Sequence, residues 1–375
     1  MLRTTVFLYT LLTAAASAAD LPKGQIIDDV KCEKDASQSY ALYLPSNYTP
    51  DRAWPVLLAF DARANGKAPV TTYQAAAEKY GYIVAGSKNS RNGPYAIGIE
   101  AAHAMFVDVT TRFHTDLKRI YATGHSGGSR LAMGLALQKD KRYAGVVASS
   151  AAFPFPNPPD KLDFPVFGTA GTEDFNYIEM QQFDRLMKSP HRVRIFTGGH
   201  TWPTSELAIE AIEWLELQAM RSGLEPRNEK SIDAFFAAAK KRAAAATGVE
   251  SMQLWSGIAT DFDGWRDVTE ARNKAKALSD SSAVKAEMEQ RREDERYESM
   301  VTAELNGLLE DMSGPDDVAP VRERMKSRLT DLQKRATTAN DSNERRLARR
   351  VIRGFLLGAR EVQDADLEKF FATLR

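Results

Sequence analysis

The stretch that decides the fold is Gly124-His125-Ser126-Gly127-Gly128, which fits the pattern Gly-x-Ser-x-Gly. Residues 119–123 before it are typical of a β-strand, and residues 129–133 after it open a helix. A tight turn from a strand into a helix holds its central serine in a strained conformation with the hydroxyl exposed, and the glycines let strand and helix approach closely. The pattern therefore predicts that Ser126 is a nucleophile.

A serine hydroxyl is a weak nucleophile at neutral pH, so it needs a neighbouring base that a carboxylate orients. Only two histidines follow Ser126 in the chain, His191 and His200. His191 precedes the predicted strand 192–197, whereas His200 follows that strand through Gly198-Gly199. Because catalytic groups collect at the carboxyl ends of parallel strands, we predict that His200 is the base.

The carboxylate partner is expected after a strand as well. The predicted strand 165–168 leads into the loop 169–174, which ends on two neighbouring acids. Asp174 is the preferred candidate and Glu173 is its rival. Either carboxylate could hold the imidazole tautomer if the loop allowed it.

The first part of the chain alternates short apolar runs with helical patterns, which predicts the α/β class with a mostly parallel sheet flanked by helices. Residues 25–30 and 39–44 are expected to form an antiparallel hairpin at the sheet edge. The other predicted strands are 55–60, 82–86, 119–124, 144–149, 165–168 and 192–197, and the predicted helices are 72–80, 96–113, 129–138, 177–187 and 204–221.

The composition changes near Gly223, which predicts a second, all-α domain. Residues 225–375 contain 27 basic and 28 acidic side chains, and all five histidines precede them. We therefore expect a catalytic domain at 20–224 and a helical domain at 225–375, whose helix pairs resemble a helical-hairpin array without a clean repeat. The predicted helices are 231–246, 265–278, 283–312, 318–338, 343–360 and 364–374.

The amino terminus has the pattern of a signal peptide. Arg3 precedes an apolar run at 6–15, and Ala16-Ser17-Ala18 has the form of a cleavage site. A run of about ten residues is too short to span a bilayer of about 30 Å, which disfavours the alternative of a membrane anchor. Residues 1–19 are thus expected to be removed, leaving a secreted or periplasmic protein that starts near Ala19 or Asp20.

The overall composition excludes several classes of function. The 375 residues carry 50 basic and 50 acidic side chains, so the formal net charge is zero. Bulk nucleic-acid binding needs a basic surface, and nucleic acid is therefore not an expected partner. Cys32 is the only cysteine, which excludes an intramolecular disulfide and a cysteine-based zinc cluster.

Three motifs together carry a family resemblance. The Gly-His-Ser-Gly-Gly stretch, Gly-Thr-Glu-Asp-Phe-Asn-Tyr at 171–177 and Gly-Gly-His-Thr-Trp-Pro at 198–203 resemble α/β hydrolases of the feruloyl esterase and polyhydroxybutyrate depolymerase type. The resemblance spans about residues 39–223. It implies a triad of Ser126, Asp174 and His200, hydrolysis of an ester through an acyl-enzyme, and no cofactor or metal.

Two backbone N–H groups are expected to bind the oxyanion. The first is that of Gly127, directly after the nucleophile. The resembled enzymes often have His-Gly after the third strand, but this chain has Phe-Asp-Ala-Arg-Ala-Asn-Gly at 60–66. Because a backbone donor depends little on its side chain, Ala62 is predicted as the second donor, with Asp61 as the alternative.

Aromatic residues near the triad positions predict a substrate pocket, since aromatic walls suit an acyl or aryl group. Core packing and loop anchoring are competing interpretations for each of them. The candidates are Phe153, Phe175, Tyr177 and Trp202.

The sequence as a whole predicts a serine esterase that acts on a small-molecule or polymer ester. A serine peptidase on the same fold is an alternative, because the triad does not separate esters from amides. A binding or scaffold protein whose helical domain carries the main role is another. The helical domain could also dock a protein partner or mediate self-association.

Overall fold

The computed structural model describes residues 21–312, 318–361 and 364–374. The predicted signal peptide at 1–19 lies outside the described residues. Within the described part of the chain, every helix is too short or too polar to cross a membrane.

Eight strands form one sheet. They are β1 (Ile26–Lys31), β2 (Ser39–Tyr43), β3 (Trp54–Asp61), β4 (Ile83–Ser87), β5 (Thr115–His125), β6 (Gly145–Ser149), β7 (Val166–Gly171) and β8 (His191–Phe196). Their order across the sheet is β1-β2-β4-β3-β5-β6-β7-β8. β2 pairs antiparallel with both β1 and β4, and every other neighbouring pair is parallel. Both the mostly parallel α/β sheet and its antiparallel edge hairpin are thus confirmed.

Helices cover both faces of this sheet. They are α1 (Lys67–Tyr80), α2 (Tyr95–Arg112), α3 (Gly127–Ala136), α4 (Tyr177–Leu186) and α5 (Ser205–Ser222). Because side chains alternate along a strand, Val56 and Leu58 of β3 pack in one core and Leu57 packs in the other. The first core also contains residues of α2, α3 and α4, and the second contains residues of α1 and α5.

The rest of the described chain is helical and forms two further cores. The helices are α6 (Glu229–Ala245), α7 (Gly248–Asp261), α8 (Thr269–Asp280), α9 (Ser282–Asp311), α10 (Ala319–Ala336), α11 (Asn343–Gly358) and α12 (Ala365–Ala372). One core is formed by α6, α7 and α8 with the end of α5, which contributes Leu217 and Met220. The other core is formed by α9, α10, α11 and α12. Because α5 contributes to both parts, a division into domains at 20–224 and 225–375 stays a prediction.

Helix α7 is absent from the sequence prediction. Gly248 opens it and Gly257 lies inside it, and glycine costs about 1 kcal/mol relative to alanine within a helix. Burial of Trp255 and Ile258 against α6 and α8 stabilises the helix instead. Tertiary packing therefore outweighs a weak local preference at this position.

We call residues 21–224 the α/β half and residues 225–374 the helical half. The carboxyl edge is the edge of the sheet at which β3, β5, β6, β7 and β8 end. The acid loop is residues 172–176, which connect β7 to α4.

Candidate active site

Ser126 occupies the turn between β5 and α3 with a φ of 57° and a ψ of −123°. A positive φ is uncommon for any residue with a side chain and is typical of strained functional positions. The Ser126 N–H donates to the carbonyl oxygen of Ser149 at 2.9 Å, which fixes the turn to the neighbouring strand. The serine itself is half-buried, so the turn presents it at the carboxyl edge as the sequence predicts.

Close backbone contacts explain the glycines on either side of this serine. A Cβ added at Gly124 would lie 2.1 Å from the carbonyl oxygen of Gly128. A Cβ added at Gly128 would lie 2.0 Å from the carbonyl oxygen of Phe60 on β3. Any larger residue would therefore push the helix away from the sheet.

The predicted acid and base meet directly. His200 Nδ1 lies 2.8 Å from Asp174 Oδ1, and the Asp174 side chain is wholly buried whereas 19% of the His200 side chain is exposed. The N–H of Asn176 donates to the same carboxylate oxygen at 2.9 Å, which holds the carboxylate in place. A histidine that donates through Nδ1 keeps its Nε2 available as a base.

Ser126 lies at the same edge of the sheet as this Asp174–His200 pair. The ring of His125, the residue before Ser126, lies 4.5 Å from the His200 ring, measured between centroids. In the described structure, the Ser126 hydroxyl and His200 are not hydrogen-bonded to each other. Hydrogen bonds between catalytic groups are often long before substrate binds.

The α/β half has the arrangement that the sequence predicts for an α/β hydrolase, namely an eight-stranded, mostly parallel sheet with helices on both faces and a strained serine between β5 and α3. Solved structures with a similar fold include the fluorophosphonate-binding serine hydrolase F of Staphylococcus aureus, at 16% identity over 48% of this chain and 92% of that chain, with a TM-score of 0.39. Est1E from Butyrivibrio proteoclasticus is similar at 17% identity over 52% of this chain and 98% of that chain, also with a TM-score of 0.39. Neither a protein-family model nor a curated protein matches the chain.

The rival acid Glu173 pairs with arginines of α11 and not with His200. Its carboxylate lies 2.7 Å from Arg349 Nη1 and 3.0 Å from Arg353 Nη1, both on α11. Asp174 and Glu173 are therefore held by different parts of the chain. These long-range contacts, which sequence patterns do not indicate, place Asp174 and not Glu173 beside His200.

A third arginine of α11 also holds the acid loop. Arg350 Nη1 donates to the carbonyl oxygen of Thr172 at 2.7 Å, and the guanidinium lies 4.4 Å from the ring centroid of Tyr177. The same guanidinium forms a buried ion pair with Glu298 of α9, with Nε 3.0 Å from each carboxylate oxygen. Sequence reasoning missed these roles, although arginines at 346, 349, 350 and 353 have the spacing of one helix face.

A second polar group lies beside the acid–base pair. Trp202 Nε1 donates to Asp61 Oδ2 at 2.8 Å, and its ring centroid lies 5.7 Å from that of His125. Burial lowers the pKa of His125 to about 4, and the nearby His200 contributes to the lowering. His125 is therefore neutral at pH 7. Local sequence patterns do not indicate these surroundings of His125, since only the fold brings β3, β5 and the 200–202 loop together.

The two predicted oxyanion donors share a neighbour. A Cβ added at Gly127 would lie 1.8 Å from Asn92 Oδ1, and the N–H of Asn92 donates to the carbonyl oxygen of Ala62 at 2.9 Å. The alternative residue, Asp61, uses its carboxylate to accept the N–H of Arg63 at 2.8 Å. Asn92 lies in the loop after β4, where Asn-Gly-Pro indicates only a turn, so no local signal points to its position.

The four aromatic pocket candidates lie in different surroundings. Phe175 stacks on His200 with 4.0 Å between ring centroids, and Trp202 packs beside His125. Phe153 packs against Phe183 of α4 with 5.8 Å between centroids, and Tyr177 lies beneath Arg350. Phe175 and Trp202 thus line the surroundings of the acid–base pair directly.

Proposed function

We propose that this protein is a serine hydrolase that cleaves carboxylic esters through an acyl-enzyme. The observation that carries the proposal is the strained Ser126 at the same sheet edge as the hydrogen-bonded Asp174–His200 pair. This combination has few structural uses, because strain at a non-glycine residue and a buried carboxylate on an imidazole each cost stability.

In the proposed mechanism, His200 Nε2 takes the proton from the Ser126 hydroxyl as its oxygen attacks the ester carbonyl. The N–H groups of Gly127 and Ala62 hold the oxyanion, and one such donor is worth about 3–4 kcal/mol in the transition state. Asp174 stabilises the imidazolium. His200 then gives its proton to the leaving alcohol, and water releases the acid from Ser126.

The neighbouring His125 supports this assignment electrostatically. Because burial keeps the pKa of His125 at about 4, that ring carries no charge at neutral pH. A positive charge 4.5 Å away, measured between ring centroids, would disfavour protonation of His200. A neutral His125 therefore leaves His200 able to become an imidazolium during the reaction.

The decisive experiment is labelling with a fluorophosphonate probe together with hydrolysis of 4-nitrophenyl acetate. We expect Ser126→Ala to abolish both, because it removes the nucleophile. Ser150→Ala is the matched control: Ser150 also has a positive φ, of 60°, and its buried hydroxyl has no hydrogen-bond partner in the described structure. Unchanged labelling in Ser126→Ala would refute the proposal.

The ester assignment is tested separately from the nucleophile. Aryl esters and peptide anilides are assayed in parallel, and the ester panel varies acyl length and includes feruloyl and hydroxybutyrate esters. We expect higher kcat/KM values for the esters. Anilides cleaved with equal or higher kcat/KM would instead support a peptidase on the same fold.

We also propose that the protein is exported after removal of its first 18 or 19 residues. The pattern of one basic residue, an apolar run and Ala-Ser-Ala supports this. N-terminal sequencing of the protein from its native host should then start at Ala19 or Asp20. A sequence that begins at Met1 would contradict export by this route.

A further inference from the structure

A cleft of about 850 Å³ opens between α10, α11 and the ring of Phe175. Its volume is within the range of small-molecule sites. Phe175 is the residue that stacks on His200, so one wall of the cleft is also a wall of the candidate active site. The helical half supplies all of the other lining residues.

The cleft carries an excess of positive charge. Arg349, Arg353 and Arg360 line it, and Glu173 pairs with the first two. Arg360 is exposed and has no ion-pair partner in the described chain. Three guanidinium groups facing one carboxylate favour an anionic ligand, since arginine binds carboxylates through paired N–H donors.

The same cleft also offers apolar surface. Leu356 and Leu357 of α11 line the cleft and are partly accessible to solvent, and Phe175 lines it as well. A ligand that combines an apolar body with a terminal anion would match this pattern, because each part would meet its own kind of surface.

The position of the cleft relates it to one half of an ester. The ring of Phe175 lies between the cleft and His200, on which it stacks. Arg353 is close to the same segment, because its Nη1 would lie 3.0 Å from a Cβ added at Gly199, the residue before His200. The histidine must give its proton to the leaving oxygen, so the leaving alcohol passes the imidazole. The predicted oxyanion donors, by contrast, lie beside Asn92.

We propose that this cleft binds the leaving alcohol of the substrate, and that the preferred alcohol has an apolar body and a carboxylate. This inference rests on the proposed function and adds the substrate class to it. The helical half would then contribute directly to specificity through α11.

The test compares acetyl esters of 4-hydroxyphenylalkanoic acids, with one to five methylenes, against the matching neutral carboxamides. In the wild-type protein we expect kcat/KM to favour the best acid over its amide by about tenfold, the size of one charge-assisted contact. Arg360→Gln should reduce that ratio. Arg324→Gln, the same change at an exposed arginine of α10 outside the cleft, should keep it.

Two further arms separate the possible failures. Calorimetry measures the binding of 3-(4-hydroxyphenyl)propanoate to Ser126→Ala and to the double variant Ser126→Ala/Arg360→Gln. Binding to the double variant should be weaker. Fluorophosphonate labelling of the wild type shows independently whether Ser126 is activated. If the probe labels the wild type but the acid and amide esters have equal kcat/KM values, the cleft proposal alone is overturned. It is also overturned if the protein prefers a carboxylate in the acyl half of the ester, which is tested by comparing kcat/KM for 4-nitrophenyl hemisuccinate with that for 4-nitrophenyl acetate. Absence of labelling would overturn the proposed function itself.

Discussion

The two halves of the molecule place their buried polar groups differently. In the α/β half many of them gather at the carboxyl edge, among them Asp61, His125 and Asp174. In the described residues of the helical half, the buried polar or charged side chains are those of Ser251, Glu298 and Arg350 alone. The ion pair of the last two lies against the acid loop. In the described residues of the helical half, buried charge is thus confined to the ion pair that contacts the acid loop, whereas the α/β half also buries charged side chains elsewhere, such as Asp108 and Arg119.

The largest expected difference is between the two neighbouring acids, each held by a different half. Asp174→Asn should lower kcat for 4-nitrophenyl acetate by about 10⁴-fold, because the amide no longer stabilises the imidazolium. Glu173→Gln should lower it by less than about tenfold, since its partners are partly exposed arginines. Steady-state kinetics on both variants checks this. Equal losses would show that the helical half takes part in catalysis as strongly as the carboxyl edge does.

The buried ion pair of the helical half should matter mainly for stability. Glu298→Gln leaves the Arg350 guanidinium buried without its counterion and should cost about 3–5 kcal/mol, measured as a lower Tm by circular dichroism. The double variant Glu298→Leu/Arg350→Met should recover most of that loss, because it leaves no unpaired charge. A double variant as unstable as the single one would show that the contact of Arg350 with Thr172 dominates.

On the α/β side, His125 should make stability depend on pH. Its pKa is about 4 when folded, against 6.5 for a free histidine, so the unfolded chain binds the proton more readily. His125 contributes about 3 kcal/mol to the free energy of unfolding. This contribution is complete above about pH 6.5 and is lost as the pH falls towards 4. Urea unfolding at several pH values between 4 and 7 gives the free energy of unfolding as a function of pH. This free energy should rise less steeply with pH in His125→Gln than in the wild type. The same pH dependence in both proteins would contradict the lowered pKa of the buried His125.

The smallest expected effect compares two helix glycines of the helical half. Gly307→Ala should raise stability by about 1 kcal/mol, because nothing lies within 4 Å of the new Cβ. A Cβ at Gly354 would lie 3.2 Å from Phe175 Cβ, so Gly354→Ala should gain less. It should also lower kcat/KM by about twofold to fivefold, because Phe175 stacks on His200. Unchanged kcat/KM in Gly354→Ala would show that α11 can move without disturbing the site.

Local patterns predict the parts of the site that depend on neighbouring residues. The elbow around Ser126 is a strand–turn–helix pattern within fifteen residues, and His200 follows its strand by a few positions. The sheet and its edge hairpin likewise follow from apolar runs and turns. These features are predictable because each is decided by residues close together in the chain.

The parts that sequence reasoning missed depend on distant contacts. Nothing near Glu173 shows that Arg349 will pair with it from 176 positions away, and nothing near Trp202 shows that Asp61 will accept its N–H from 141 positions away. Helix α7 was missed for a related reason, since its buried tryptophan outweighs its glycines only once α6 and α8 surround it. Charge-rich helix faces are usually solvated, and α11 differs only because the acid loop lies against it.

The place of α11 in the order of synthesis has its own consequence. A ribosome completes the elbow, the acid loop and the histidine long before it makes the helix whose arginines hold that loop, and the closing contacts span up to 180 positions. During that interval the loop would have to find its shape without support. A chain that loses its last few dozen residues, by an early stop codon or a protease, would keep every group that performs the proposed chemistry and lack the brace that aligns them.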